Sequence, residues 1–129
     1  MAKNYTLNCS LNMTANSGTG YSQSQSGSYT LNITGVDQIA TGRIDVAHDG
    51  DSTVMAAPGH GRMIYVKNLD DTNFVKIYDG ASSAADYIGI LKPGEFLMTI
   101  IKGTGTTTAR ADTATVTIEY AAIEIDANA

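Results

Sequence analysis

The sequence predicts an all-β fold: an antiparallel β-sandwich, jelly-roll or immunoglobulin-like, built from eight to ten short strands. Three observations carry this expectation. Apolar and polar residues alternate with period two in several runs, as in Tyr5 to Thr14 and Thr113 to Tyr120. Gly, Asn, Asp and Pro clusters punctuate those runs at short intervals. No segment sustains a 3.6-residue apolar period of useful length. At 129 residues the chain is expected to form one domain, 1–129, with a single core.

The first strand is expected over Tyr5 to Thr14. Tyr5, Leu7, Cys9, Leu11 and Met13 fall on an inward face, and Thr6, Asn8, Ser10, Asn12 and Thr14 on the other. Ser28 to Thr34 repeats the pattern with Tyr29, Leu31 and Ile33 inward. Residues 15–27 between them, NSGTGYSQSQSG at the heart, read as a flexible low-complexity loop, so the flanking strands are expected to pair as a hairpin.

From Gly35 to Gly61 the signal is weaker. Val36 to Ala40 and Arg43 to Val46 are expected as short strands, followed by a polar turn at His48-Asp49-Gly50-Asp51. Thr53 to Ala56 adds a brief strand before Pro58-Gly59-His60-Gly61 forces a loop.

The richest stretch is Met63 to Ile101. Ile64 and Val66 share one face, with Met63, Tyr65 and Lys67 opposite; Val75 and Ile77 oppose Phe74, Lys76 and Tyr78. Leu69-Asp70-Asp71-Thr72 has the composition of a tight hairpin loop. Asp79-Gly80 is a further turn, and Tyr87 to Leu91 a short strand. Lys92-Pro93-Gly94-Glu95 predicts a type II turn, because Pro presets the second φ and Gly supplies a positive third φ. Phe96 to Ile101 is apolar at both parities and is expected to be covered on both faces. After Gly103-Thr104-Gly105, Thr106 to Arg110 reads as an edge strand. Ala114, Val116, Ile118 and Tyr120 then face inward, and the shift to Ile123 and Ile125 predicts a bulge or change of sheet near Ala121-Ala122.

Composition narrows the function classes. A net charge of −5 is the wrong sign for binding nucleic acid or an anionic membrane. No apolar run reaches the roughly 18 residues of a membrane span. The opening MAKNYTLNCS lacks the apolar core of a signal peptide, so secretion by that route is not expected. Cys9 is the single cysteine, which excludes an intrachain disulfide, and its parity makes it a small buried hydrophobe. The triplets at Asn4, Asn8, Asn12 and Asn32 match the glycosylation pattern but follow from polar alternation.

No catalytic, cofactor-binding or metal-binding residue is expected, and the chain reads as no enzyme. The two histidines, His48 and His60, lie in Gly- and Asp-rich loops and have no evident nucleophile beside them. Asp49-Gly50-Asp51, like Asp70, Asp71 and Asn73, offers hard oxygens but too few for a calcium loop. Zinc-ligand spacing is missing, and Gly103-Thr104-Gly105 lacks the Lys-Ser/Thr ending of a phosphate loop. Among the aromatic residues, Tyr21 alone falls in the flexible loop, and there is no Trp to serve as a sugar platform. All thirteen acids lie from Asp37 onward, and Lys3 is the lone charge before it. Such an uncharged first third fits a surface packed on another subunit, or equally a Thr- and Asn-rich outer sheet face.

Asn68, Asp70, Thr72, Asn73, Phe74 and Val75, followed by Lys92, Pro93, Gly94, Glu95 and Phe96, form a pattern of their own. It resembles small structural proteins of tailed bacteriophages, in which a strand pair with N-x-D-x-T-N-[FY]-V precedes a K-P-G-E turn and an apolar strand. The likeness covers about a third of the chain. It implies a virion protein assembled in the host cytoplasm, with head decoration (cement) as the leading role. The alternative is a tail or fibre component binding a host receptor or glycan. The implied partners are the major capsid protein or other virion proteins and further copies of the chain, for example in a trimer. In such a role the loop and first strands would supply the contact surface, with Ser17, Tyr21, Gln23 and Gln25 as candidates.

Overall fold

A computed structural model describes residues 3–13, 23–33, 39–56, 61–80, 82, 87–101 and 105–124. These residues form ten strands: β1 (Lys3–Met13), β2 (Gln23–Ile33), β3 (Ile39–Val46), β4 (Ser52–Met55) and β5 (Arg62–Asn68), then β6 (Val75–Asp79), β7 (Tyr87–Leu91), β8 (Phe96–Ile101), β9 (Thr107–Ala111) and β10 (Val116–Glu124). β1 and β2 make a two-stranded ribbon. The other eight form two four-stranded sheets, ordered β3-β10-β5-β8 and β4-β9-β6-β7.

The pairing is nested. β3 pairs with β10, β4 with β9, β5 with β8 and β6 with β7, all antiparallel. The chain is thus one long ribbon, turned back at the β6–β7 connection and wrapped so that successive stretches alternate between two sheets. Two further pairings, β10 with β5 and β9 with β6, close the sheets. This is the strand order of a jelly roll, which decides between the two sandwich types the sequence allows.

Between the sheets lies an aliphatic core. Val46, Ile64, Val66, Val116, Ile118 and Ala122 from one sheet meet Val54, Met55, Val75, Ile77, Leu91 and the small Ala109 and Ala111 from the other. Alternation assigns Ile64, Val66, Val75, Ile77, Val116 and Ile118 inward as found, whereas Ala114, also expected inward, is exposed on the bend before β10. No buried side-chain nitrogen or oxygen among the described residues lacks a hydrogen-bond partner. The most demanding of these groups is Arg62, fully buried at the inner end of β5. Its Nε donates to Thr107 Oγ1 at 2.5 Å, and its guanidinium pairs with the Asp79 carboxylate on the facing sheet.

Several expectations need correction. Over the described residues β3 (Ile39–Val46) is one continuous strand, not two, and residues 36–38 lie outside the described set. Its interior Gly42 sits at φ 145°, a value L side chains rarely adopt, which explains the apparent break. The Leu69–Thr72 connection is no hairpin loop, because β5 and β6 belong to different sheets. β9 is an inner strand between β4 and β6, not an edge. β8 is at an edge of its sheet, and alternate residues Phe96, Met98 and Ile100 are exposed rather than covered on both faces. β10 runs without a bulge: its registers with β3 and β5 are continuous, and Ala122 and Glu124 keep the buried parity while Ile123 takes the other face. Register shifts occur instead at Thr53/Met55 and Ile77/Tyr78.

Candidate functional site

Three regions carry the chemistry that a function would use: the ribbon, the corner built by Asn68 to Val75 and Lys92 to Phe96, and a groove on the outer face of the second sheet.

In the ribbon, β1 and β2 pair in unbroken register from Lys3↔Ile33 to Met13↔Gln23, and with no other strand among the described residues. Of the four proposed contact residues, Gln23 and Gln25 lie in β2, opposite Met13 and Leu11; Ser17 and Tyr21 lie outside the described residues. All of 15–22 falls there too, but residues 23–27, expected as loop, are strand. Leu11 is 55% exposed and Met13 46%, so these two do not face a core as alternation suggests. Among the described residues this strand pair is hydrogen-bonded to neither sheet. Ser24 donates to Asn12 Oδ1 at 2.8 Å, a short polar link across the ribbon. The inward placement expected for Tyr5, Leu7, Cys9, Tyr29, Leu31 and Ile33 concerns side chains outside the described set.

Asn68 to Val75 and Lys92 to Phe96 form two neighbouring corners. Because β5 pairs with β8 and β6 with β7, the β5–β6 and β7–β8 connections cross between the sheets side by side. Asn68, fully buried, ties them together. Its amide N–H donates to Glu95 O at 2.9 Å, and its carbonyl accepts from Gly94 N at 3.0 Å. Its Nδ2 donates to Asn73 O and Leu91 O, both at 2.9 Å, and its Oδ1 accepts from Asp70 N at 2.8 Å. The Asp70 carboxylate then accepts from Thr72 N at 3.0 Å and Asn73 N at 2.6 Å. Those two backbone donors hold its carboxyl below the usual range, since they favour the ionised form. Lys92–Glu95 is the expected turn, with Gly94 at φ 81° and Glu95 N bonded to Lys92 O at 3.0 Å. This corner is architectural: its donors and acceptors satisfy one another.

The groove occupies about 440 Å3 on the outer face of the β4-β9-β6-β7 sheet. Lys76 of β6 and Arg110 of β9 face each other across the strand pair. Arg110 Nε donates to His48 O and its Nη1 to Ser82 Oγ, each at 3.2 Å, and Asp51 lies 3.8 Å from it. The Ser82 amide also donates to Asp51, at 2.9 Å, so Ser82 is tied to the turn at His48–Asp51. Ser82 and then the Arg110 charge hold the Asp51 carboxyl below its usual range. Lys76 Nζ lies 5.2 Å from the Tyr87 ring centre and 6.0 Å from that of Phe74, with Tyr78 packed edge-on to Tyr87. Sequence reading put Phe74, Lys76 and Tyr78 on one face but missed Arg110, which only the β6–β9 pairing brings beside them.

His48 stands exposed on its bend, and His60 lies outside the described residues. Among the described residues no three His, Cys, Asp or Glu side chains converge as a metal site. No protein-family model, curated protein or solved structure matches this chain.

Proposed function

We propose that this chain is a non-enzymatic structural protein of a tailed-phage virion, a head decoration subunit that binds the major capsid protein and stabilises the shell. The observation that carries the reading is the β1–β2 ribbon, nearly free of charge, with Leu11 and Met13 exposed and, among the described residues, no further strand hydrogen-bonded to it. A lone two-stranded ribbon is marginal in water and gains stability when a partner covers it. Further copies of the chain, in a trimer for example, and the capsid surface are the proposed partners. Many weak contacts of this kind add through multivalency.

Two further observations support the reading. Jelly rolls recur in viral capsid and lectin domains, an analogy at the level of fold. The residues of the phage-like pattern, Asn68 to Val75 and Lys92 to Phe96, knit one interlocked corner, as expected of a pattern kept for architecture.

The test is reconstitution on DNA-filled heads lacking the protein. Full-length chain should bind them and raise the temperature at which they release DNA; deletion of 17–26 should weaken both effects. Heads that neither bind the chain nor gain heat resistance would refute the decoration role.

A further inference from the structure

We propose that the open edge of β8 takes up the β1–β2 ribbon of a neighbouring copy of this chain, with Leu11 and Met13 set beside Met98 and Phe96. This rests on the reading of the ribbon as a contact surface and not on the capsid role.

A strand at the end of a sheet leaves half of its backbone donors and acceptors without a strand partner, so proteins blunt such edges with charges, shortness, bulges or glycine. Three of the four sheet ends follow that rule. β3 carries exposed Arg43 and Asp45 and holds Gly42 at φ 145°. β4 has four residues and a register shift against β9. β7 has five residues, Gly89 at its centre and a register shift against β6. β8 differs. Its six residues, Phe96–Ile101, include no charge, glycine or proline, and its register with β5 is unbroken. Phe96 is 65% exposed, and Met98 and Ile100 are exposed on the same face. Among the described residues no strand is hydrogen-bonded to the outer side of β8.

These side chains continue an apolar surface. Phe96 lies near Tyr65 of β5, with ring centres 6.4 Å apart. Ile100 ends a row that crosses the sheet through Met63 and Ile123 to Ile39. A further strand laid on β8 would extend this face and gain cross-strand contacts along it.

The ribbon fits that position. A two-stranded ribbon needs a third strand with an apolar face, and β8 offers one with an open edge. Paired antiparallel, β1 places Leu11 opposite Met98 and Met13 opposite Phe96, so all four fall on one face of the extended sheet. Charge favours a meeting of two copies at these segments. The chain carries −5, yet Asn4 to Ile33 and Phe96 to Ile101 hold no charged residue, so the two segments approach without mutual repulsion. Each copy gives one ribbon and accepts one. The contact is therefore heterologous, and its repetition can close a ring such as a trimer.

The experiment is analytical sedimentation of the full chain and two variants, alone and mixed. Leu11→Lys with Met13→Lys spoils the ribbon, and Met98→Lys spoils the edge with the charge that natural edges use. The unsubstituted chain should self-associate within about 1–100 μM, and each variant at least about tenfold more weakly. An equimolar mixture of the two variants should restore association, as a dimer alone, because the intact ribbon of one meets the intact edge of the other. Pairing of β8 with β8, or of ribbon with ribbon, predicts no such rescue. Ile100→Lys, at the same exposed edge, takes the place of Met98→Lys if that variant fails to fold. An unsubstituted chain that stays monomeric at about 100 μM, with β8 open or covered by its own ribbon, would overturn the proposal. So would undiminished association of either variant, or a mixture that remains monomeric. Heads that fail to bind the chain would refute the decoration role and leave this contact standing, so the two proposals fail separately.

Discussion

The jelly roll and the ribbon are written in the same alternating code, yet they end in opposite environments. In β5, β6 and β10 the inward parity gives Ile64, Val66, Val75, Ile77, Val116 and Ile118, all buried. In β1 the same parity gives Leu11 and Met13, both largely exposed. The difference is in neighbours: each sheet of the jelly roll has a second sheet to close against, while among the described residues β1 and β2 are hydrogen-bonded only to each other. Alternation fixes which residues share a face. What covers that face is decided elsewhere, in the jelly roll by nested pairing and in the ribbon, on the proposed reading, by a second molecule.

If the comparison is right, substitutions in the two regions should separate stability from assembly. The largest effect is expected at Arg62. Arg62→Met keeps much of the side-chain volume but leaves Asp79 without its cation and Thr107 Oγ1 without its donor. Removing one partner of a buried pair costs about 3–5 kcal/mol, so urea denaturation should show a loss of that order. A loss below about 1 kcal/mol would mean that the charges closing this end of the jelly roll are not a true buried cluster.

Asn68→Ala should come next, at about 3 kcal/mol by the same measurement, because it strands Asn73 O, Leu91 O and the Asp70 amide at a buried corner. Backbone bonds from Asn68 to Gly94 and Glu95 survive the change. The fold should therefore persist, with amide exchange faster around Asp70–Asn73 and Lys92–Glu95 than in β10.

That corner also shows where sequence reading succeeds and where it stops. The Lys92–Glu95 turn was legible because Pro93 and Gly94 restrict their own φ angles, a local property. The role of Asn68 was not, since Leu69–Thr72 carries residues that suit a hairpin and an inter-sheet crossing equally well. Only the pairing of β5 with β8 tells the two apart. The same limit applies to β8: its apolar run gives no sign that one face lies at a sheet edge. Gly42 misled in the other direction, since a glycine inside a run reads as a break although β3 continues through it. For the groove, Lys76 had a visible face, but its partner Arg110 comes from a strand distant in sequence.

In the ribbon, the double substitution Leu11→Ser with Met13→Ser should do the reverse of Arg62→Met. Both side chains are exposed, so the unfolding free energy of the jelly roll should change by less than about 0.5 kcal/mol. Oligomerisation, read by light scattering, and binding to heads should weaken. A loss of stability comparable to that of Asn68→Ala would show that the ribbon packs on its own jelly roll and would erase the distinction between the regions.

The smallest effect is a pH dependence confined to the jelly roll. The Thr72 and Asn73 amides favour the ionised Asp70 carboxyl, so its folded value lies below that of the unfolded chain, near 3.9. The unfolded state therefore takes up the proton first as pH falls. The stabilisation is fully present above the unfolded value and is lost as pH drops through the folded one. Asp51, lowered by Ser82 and Arg110, acts in the same direction. Asp70→Asn can still accept from the two amides but no longer titrates, so its stability should decline less steeply than that of the unsubstituted chain below about pH 4. The ribbon has no acid at all, from Lys3 to Ile33, and so contributes nothing to this slope. Oligomerisation through it should persist down to the pH at which the jelly roll itself begins to unfold. Dissociation at a milder pH, with the jelly roll still folded, would point to an interface that includes acids from Asp37 onward rather than the uncharged ribbon alone.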